Sequence, residues 1–233
     1  MRIDILTICT GKYTMFFDGL YESSEKHFLP GHEKRYIVFT DGEITPRNNV
    51  IRIEQPKLGW PFDTMMRFKM FNSINEIIDA DYVFFLNANM KFVDTVSEEV
   101  IPTEKNDYLM GVIHPGYQNK HPMELPYERR THSSVQIPYG QGTTYYQGCF
   151  NGGRTEEFLR MSSILATGIE SDLSKSIVPI WHDESALNWY YSLRNPLAIN
   201  PSYAYPESVD MGIEKKILQL DKSKLGGHDF LRG

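Results

Sequence analysis

The densest concentration of reactive side chains is Trp181-His182-Asp183-Glu184-Ser185, which gathers an aromatic ring, an imidazole, two carboxylates and a hydroxyl at a loop-to-helix junction. Such a cluster can bind sugar hydroxyls and set a carboxylate beside an anomeric carbon. The same five residues also read as an ordinary helix start, with Asp183 or His182 as the cap and Glu184 favoured in the first turn by the helix dipole. A second candidate is Asn87-Ala88-Asn89, which closes the apolar run Asp81 to Leu86. Asparagine suits a strand-end turn, and its neutral carbonyl is a weak ligand where a hard cation calls for carboxylates. A third is Thr143 to Gly153 (TTYYQGCFNGG), where small residues inside an aromatic strand either admit a ligand close to the backbone or mark a bulge. Nearby, Tyr127-Glu128-Arg129-Arg130 reads equally as a solvated charge run.

The elements that must carry these groups follow from apolar spacing. Strands are expected at Arg2–Cys9, Arg35–Thr40, Asn49–Glu54 and Asp81–Leu86, with a helix at about Met15–His27 between the first two and another at Asp63–Ile78, capped by Asp63 or Thr64. This is βαβ order, and a continuous apolar strand such as Asp81–Leu86 is typical of a parallel sheet buried on both faces. Asn87 and Asn89 then sit at the carboxyl end of a central strand, where such sheets bind ligands. In the second half, Tyr108–His114 reads as a strand. Residues 115–142, with Pro115, Pro122, Pro126 and Pro138, form a long loop region, and Thr144–Asn151 reads as a strand that stops at Gly152-Gly153. Helices at Thr155–Ile169 and Asp183–Leu193 and a strand at Lys216–Leu220 lead to a Lys/Gly-rich tail.

The chain has 233 residues, 41% hydrophobic and 23% charged, enough for one substantial core. Its 14 Tyr, 13 Phe and 3 Trp exceed what a core alone needs and suit a pocket for flat or sugar-like ligands. With 24 Lys+Arg against 30 Asp+Glu, the net charge of −6 disfavours nucleic acid and requires a local cation cluster for any phosphate-bearing ligand. The two cysteines, Cys9 and Cys149, lie in apolar runs without metal-binding or redox spacing and read as buried thiols. The first residues lack a signal-peptide pattern and no apolar stretch is long enough to span a membrane, so a cytoplasmic location is expected.

Taken in order, these segments resemble glycosyltransferase family 6, the family of the mammalian histo-blood-group A and B transferases and the α1,3-galactosyltransferase. The resemblance runs through Thr10-Gly11-Lys12-Tyr13, Trp60 with Thr64 to Lys69, Leu86 to Met90, Tyr127 to Arg130, Tyr145 to Gly153, Trp181 to Asn188 and Asn200 to Tyr203, and so covers about residues 5–207. It implies a GT-A fold, an α/β class with a Rossmann-like mixed sheet flanked by helices. One catalytic domain is expected over residues 1–233: a nucleotide-binding half (1–90), an acceptor-binding half (91–220) and a mobile basic tail (221–233). The implied reaction is retaining α1,3-transfer of N-acetylgalactosamine or galactose from a UDP-sugar donor to a galactose-containing oligosaccharide acceptor, as in the short bacterial members that lack the anchor and stem of the mammalian enzymes.

Residue by residue, the resemblance implies that Ile8, Thr10 and Tyr13 hold uracil and ribose and that Thr64, Arg67 and Asp183 contact the donor. Gln147, Gly148 and Cys149 match positions that read the sugar's 2-substituent and line the acceptor pocket. Trp181, His182 and Tyr127 match acceptor contacts, and Glu184 matches the carboxylate under the sugar's β face. In the family the strand-end motif is Asp-x-Asp and binds manganese; here it is Asn87-Ala88-Asn89, so no metal cofactor is expected. Its charge must then be replaced by side-chain cations, with Lys12, Arg67, Lys69 and the tail residues Lys222, Lys224 and Arg232 as candidates. A non-catalytic glycan-binding protein is the alternative class. A sugar-nucleotide-forming nucleotidyltransferase would need a Gly-rich phosphate loop near the first strand, and none is present.

Overall fold

The computed structural model describes residues 1–233. The first strand, β1 (Arg2–Ile8), is followed by a 3-10 turn at Gly11–Phe16 and helix α1 (Phe17–His27), then β2 (Glu33–Thr40) and β3 (Val50–Glu54). Two short helices, α2 (Phe62–Met65) and α3 (Arg67–Asn72), precede β4 (Tyr82–Leu86) and the short β5 (Met90–Phe92). The second half contributes β6 (Leu109–Ile113), β7 (Tyr146–Arg154), α4 (Thr155–Ser174), α5 (His182–Ser192), β8 (Leu197–Ile199), β9 (Tyr205–Pro206), β10 (Ile217–Gln219) and α6 (Gly227–Arg232).

The main sheet runs in the order β3-β2-β1-β4-β7-β6-β8. Strands β3, β2, β1 and β4 are mutually parallel, β7 is antiparallel to both of its neighbours, and β8 is parallel to β6. This is the mixed sheet expected of a GT-A-like α/β fold, with one reversed strand at its centre. Apolar side chains fill both faces. Phe28, Phe84, Phe92 and Phe150 pack under α1 on one side; Phe39, Phe68, Phe71, Phe85 and Phe158 pack under α3 and α4 on the other. Truncating one of these buried rings to alanine typically costs about 3–5 kcal/mol. A small second sheet, β5-β10-β9, lies beside the main one.

Three expectations change. The helix expected over Asp63–Ile78 is two short helices broken at Met66, whose φ of −85° and ψ of 5° leave helical geometry just before Arg67. Neither Asp63 nor Thr64 caps it: Asp63 accepts from Leu58 N at 2.6 Å and the Thr64 hydroxyl donates to Pro61 O. Strand β7 does not stop at Gly152-Gly153 but runs through them, because a β-carbon at Gly152 would collide with the Phe84 ring and one at Gly153 with Tyr108 O. The glycines allow the reversed strand to sit in the sheet centre. The tail carries a short helix of its own: Gly226 and Gly227, with φ of +91° and +79°, turn the chain into α6, and Leu231 is buried in the core. Strands β8 and β9 are too short to carry a readable alternation.

Candidate active site

Strand order changes direction between β1 and β4, since β2 and β3 lie on one side of β1 and β4 on the other. In parallel sheets the crevice at the carboxyl ends of such a pair is the ligand site. Here Ile8, Thr10 and Tyr13 follow β1, and Asn87 and Asn89 follow β4; all five line one cavity with Trp60, Thr64, Arg67, Lys222 and Arg232. The cavity continues past Asn87 to Gln147, Gly148, Cys149, Trp181, His182, Asp183 and Glu184.

The chemistry is gathered where β7 leaves β6. Gly111 opposes Asn151, yet the next residue, Val112, opposes Gln147, so residues 148–150 bulge out of the ladder with β6. Bulges of this kind re-aim groups next to active sites. The freed main chain of Gly148 turns to side chains: its N–H donates to Glu184 Oε2 at 2.7 Å and its carbonyl accepts from Arg67 at 2.6 Å. Arg67 also pairs with Asp183 at 3.0 Å and packs over the Phe85 and Phe68 rings. A β-carbon at Gly148 would stand 3.1 Å from Asp183 Oδ2, 3.4 Å from the Arg67 guanidinium and 3.5 Å from Glu184 Oε2, so glycine is what lets these charges close around one point.

Residues 181–185 do start a helix, with Asp183 and Glu184 in the first turn of α5, but neither His182 nor Asp183 is its cap. Trp181 stands at the cap position without a side-chain cap, and its N–H donates to Ser185 Oγ at 2.9 Å. His182 adopts a φ of +54°, rare for a non-glycine residue, and its ring meets Trp60 edge-on. Asp183 and Glu184 therefore face Arg67 and Gly148 rather than their own helix. Burial pushes the Glu184 carboxyl up to about 7; the Gly148 N–H opposes this, the neighbouring Asp183 charge adds to it, and Tyr145 and Arg67 oppose it.

Much of the site's polar capacity has no protein partner. Of seven buried polar side-chain atoms without a hydrogen bond in the whole chain, four belong to residues that line the cavity: Arg67 (Nε and Nη2), Gln147 (Oε1) and Arg232 (Nε). Each such group costs roughly 1–3 kcal/mol when left unsatisfied. Arg67, Gln147 and Arg232 thus bring unmet hydrogen-bonding capacity to the walls of one cavity, which suits a polar ligand.

The tail supplies the remaining cations. Lys57 Nζ donates to Arg232 O at 2.6 Å and Lys12 Nζ to Phe230 O at 2.8 Å, while the Lys12 ammonium also sits over the Phe230 ring. Held this way, α6 lays the Arg232 guanidinium 3.6 Å over Trp60, and Lys222 stands 5.1 Å over the Tyr13 ring. Burial, reinforced by Arg232, lowers the Lys222 ammonium to about 8. Asn87 and Asn89 offer neutral amides; Asn89 Nδ2 is committed to Leu220 O, Lys222 lines the same cavity, and nowhere in the chain do three His, Cys, Asp or Glu side chains converge. This donor set does not fit a divalent cation.

Three candidates lie elsewhere. Tyr127 is buried behind Tyr145 with its hydroxyl on Thr144 O at 2.7 Å, and it does not line the cavity. Lys224 is exposed and paired with Glu207 at 3.0 Å; Lys69 faces Glu170 at 2.7 Å. Lys57, which lines the cavity, and Gln219, which accepts from Gln147, were not legible as site residues, because their roles depend on loop geometry rather than on motif spacing. His114 does not line the cavity: its Nδ1 accepts from Gly116 N, its ring packs on Tyr117 and Tyr145, and burial holds it near 4 and hence neutral.

Comparisons with known proteins agree with this geometry. The family model described as Glycosyltransferase family 6 matches residues 1–228. The chain is 39% identical over 228 residues to the O-antigen biosynthesis glycosyltransferase WbnI of Escherichia coli, covering 96% of each chain. It is 29% identical over 219 residues to the histo-blood group ABO system transferase 2 of Rattus norvegicus and 28% identical over 220 residues to the globoside alpha-1,3-N-acetylgalactosaminyltransferase 1 of Gallus gallus. Each of these two alignments covers 89% of this chain, and 64% and 62% of the respective relative. No helix is long and apolar enough to cross a membrane.

Proposed function

Because the chain belongs to glycosyltransferase family 6, we propose that it transfers N-acetylgalactosamine or galactose from a UDP-sugar, with retention and in α1,3 linkage, to a β-galactoside, without a metal ion. The observation that carries this reading is the gathering of cationic and polar groups with unmet hydrogen-bonding capacity along a cavity that ends at the carboxylates Asp183 and Glu184. In this reading uracil and ribose lie against Tyr13, Ile8 and Thr10 at the end of β1. The diphosphate lies between Arg67, Lys222 and Arg232, and the transferred sugar lies between Gln147 and Glu184. The name of the Gallus gallus relative, an alpha-1,3-N-acetylgalactosaminyltransferase, supports the linkage and one of the two sugars.

The sugar C1–O bond breaks with its electron pair leaving on the UDP phosphate; a new bond forms from the acceptor hydroxyl oxygen to C1 on the same face. In a front-face reaction the departing phosphate takes the hydroxyl proton, and Glu184 stabilises the oxocarbenium-like charge from below. In a double displacement Glu184 attacks C1 as UDP leaves, forming a glycosyl ester, and the acceptor oxygen then displaces the carboxylate while the UDP phosphate takes the hydroxyl proton. Either route needs Glu184 ionised, and the Gly148 N–H and Arg67 favour that form. Charge that builds on the leaving UDP is met by side-chain cations, each charge-assisted bond contributing roughly 1.5–3 kcal/mol. Trp181 and His182, at the open end, suit the acceptor sugar.

The test is turnover of UDP-GalNAc and UDP-Gal with a fucosylated or unfucosylated galactoside, each in the presence and absence of excess EDTA. Transfer that persists in EDTA is expected. Activity abolished by chelation and restored by manganese rejects the metal-free part, and oligosaccharide binding without turnover of either donor rejects transfer altogether.

A further inference from the structure

We propose that Gln219 is a positioning residue for donor-sugar selection: it fixes the orientation of the Gln147 amide so that the Gln147 carbonyl oxygen, rather than its NH2, faces the transferred sugar. This rests on the reading of the cavity as a UDP-sugar site. The observations are local. Gln147 Nε2 donates to Gln219 Oε1 at 3.1 Å, while Gln147 Oε1 is shut off from solvent and has no partner. Gln147 immediately precedes Gly148, whose N–H holds Glu184, and its side chain lines the cavity that contains that carboxylate. Gln147 thus borders the reacting end of the site, and its oxygen has no hydrogen-bond donor.

Gln219 is itself well anchored. It ends β10, pairs with Met90 across the small sheet, and its carbonyl accepts from Glu207 N. The next residue, Leu220, exchanges hydrogen bonds with Asn89, donating from its N–H to Asn89 O and accepting from Asn89 Nδ2. One strand end therefore braces both the turn after β4 and the amide that faces the sugar.

An amide can present either end, and its partner decides which. A sugar hydroxyl both donates and accepts, so it tolerates either orientation. The N–H of an acetamido group only donates, so it needs the carbonyl. Fixing the amide therefore matters more for a 2-acetamido sugar than for its 2-hydroxyl counterpart. A partner that can only accept, as in Gln219→Glu, keeps the native orientation; a partner that can only donate, as in Gln219→Lys, reverses it. Any effect of the added charge on the diphosphate is common to both donors and cancels in their ratio.

The experiment measures kcat/KM for UDP-GalNAc and UDP-Gal, and the dissociation constants of both donors, in wild type, Gln219→Glu and Gln219→Lys. The expected result is a GalNAc-to-Gal ratio unchanged within about twofold in Gln219→Glu and lowered about tenfold or more in Gln219→Lys. Equal effects on both donors in Gln219→Lys, or the same ratio change in Gln219→Glu, overturn the positioning role while leaving the UDP-sugar reading intact. A wild type that neither binds nor turns over either donor removes the reading and the proposal together.

Discussion

Glu184 should cost the free protein stability, and the cost should depend on pH. Its carboxyl is raised from 4.5 to about 7, chiefly by burial. The folded state therefore holds the proton more tightly than the unfolded chain. Below pH 4.5 both states are protonated and the group is neutral in its effect; between 4.5 and 7 stability is progressively lost, and above 7 the loss is complete at about 3 kcal/mol. Glu184→Gln removes the charge while its amide oxygen can still accept from Gly148 N–H. The substitution should thus stabilise the ligand-free protein by up to about 3 kcal/mol at pH 8 and by under about 1 kcal/mol at pH 5. For a domain of this size each kcal/mol moves the melting temperature by roughly 2–4 °C, which gives a ceiling of about 6–12 °C at pH 8. Thermal unfolding of both proteins at the two pH values, without donor, measures it. A melting temperature that rises equally at both, or falls at pH 8, would refute the assignment of Glu184 as a buried carboxylate kept ready at an energetic cost. The same variant should lose kcat by far more than it raises donor KM.

Because the ionised form of Glu184 is the reactive one, kcat/KM for donor should fall on the acid side with an apparent pKa near 7, read from initial rates between pH 5 and 9; a flat profile down to pH 5 contradicts this. Lys222 is lowered to about 8, so UDP binding near pH 8 should take up a proton and weaken as pH rises through that value, and Lys222→Met should abolish the proton uptake in calorimetry performed in buffers of different ionisation enthalpy. Arg67→Met leaves Asp183 without its cation in a nearly buried site and should cost about 3–5 kcal/mol in denaturant unfolding as well as donor affinity. Tyr127→Phe deletes only the bond to Thr144 O; it should cost about 1 kcal/mol of stability and leave acceptor KM within about twofold, whereas a large rise in acceptor KM would return Tyr127 to the acceptor site.

The sequence made the scaffold legible where apolar runs were long. Asp81–Leu86 reads as a doubly buried strand and is one, and its closing asparagines stand at the switch point of the sheet. Glycine misled at Gly152-Gly153, since a turn and a crowded sheet centre both demand the absence of a side chain and only the neighbour Phe84 distinguishes them. The break at Met66 was hidden because the apolar spacing continues through it. In the site, residues clustered in short motifs were found together, among them Arg67, Gly148, Asp183 and Glu184. Residues recruited singly from distant loops were not: Lys57 reaches the cavity by gripping a segment 175 positions away, and no local pattern announces that. Lys224 was chosen for its charge alone, and an ion pair with Glu207 claims it.

The lysines that hold the tail do so through main-chain carbonyls, Phe230 O and Arg232 O. Every residue has such a carbonyl, so the closure tolerates sequence change along the segment it fastens. Leu231 in the core and Phe230 under Lys12 complete the fastening, while Lys222 and Arg232 line the cavity. Selection can then retune what the cover presents to the diphosphate, one inward residue at a time, without redesigning the clasp. A tail from a divergent relative, grafted after Asp221, should still close on Lys12 and Lys57 even where its own side chains bind the donor poorly.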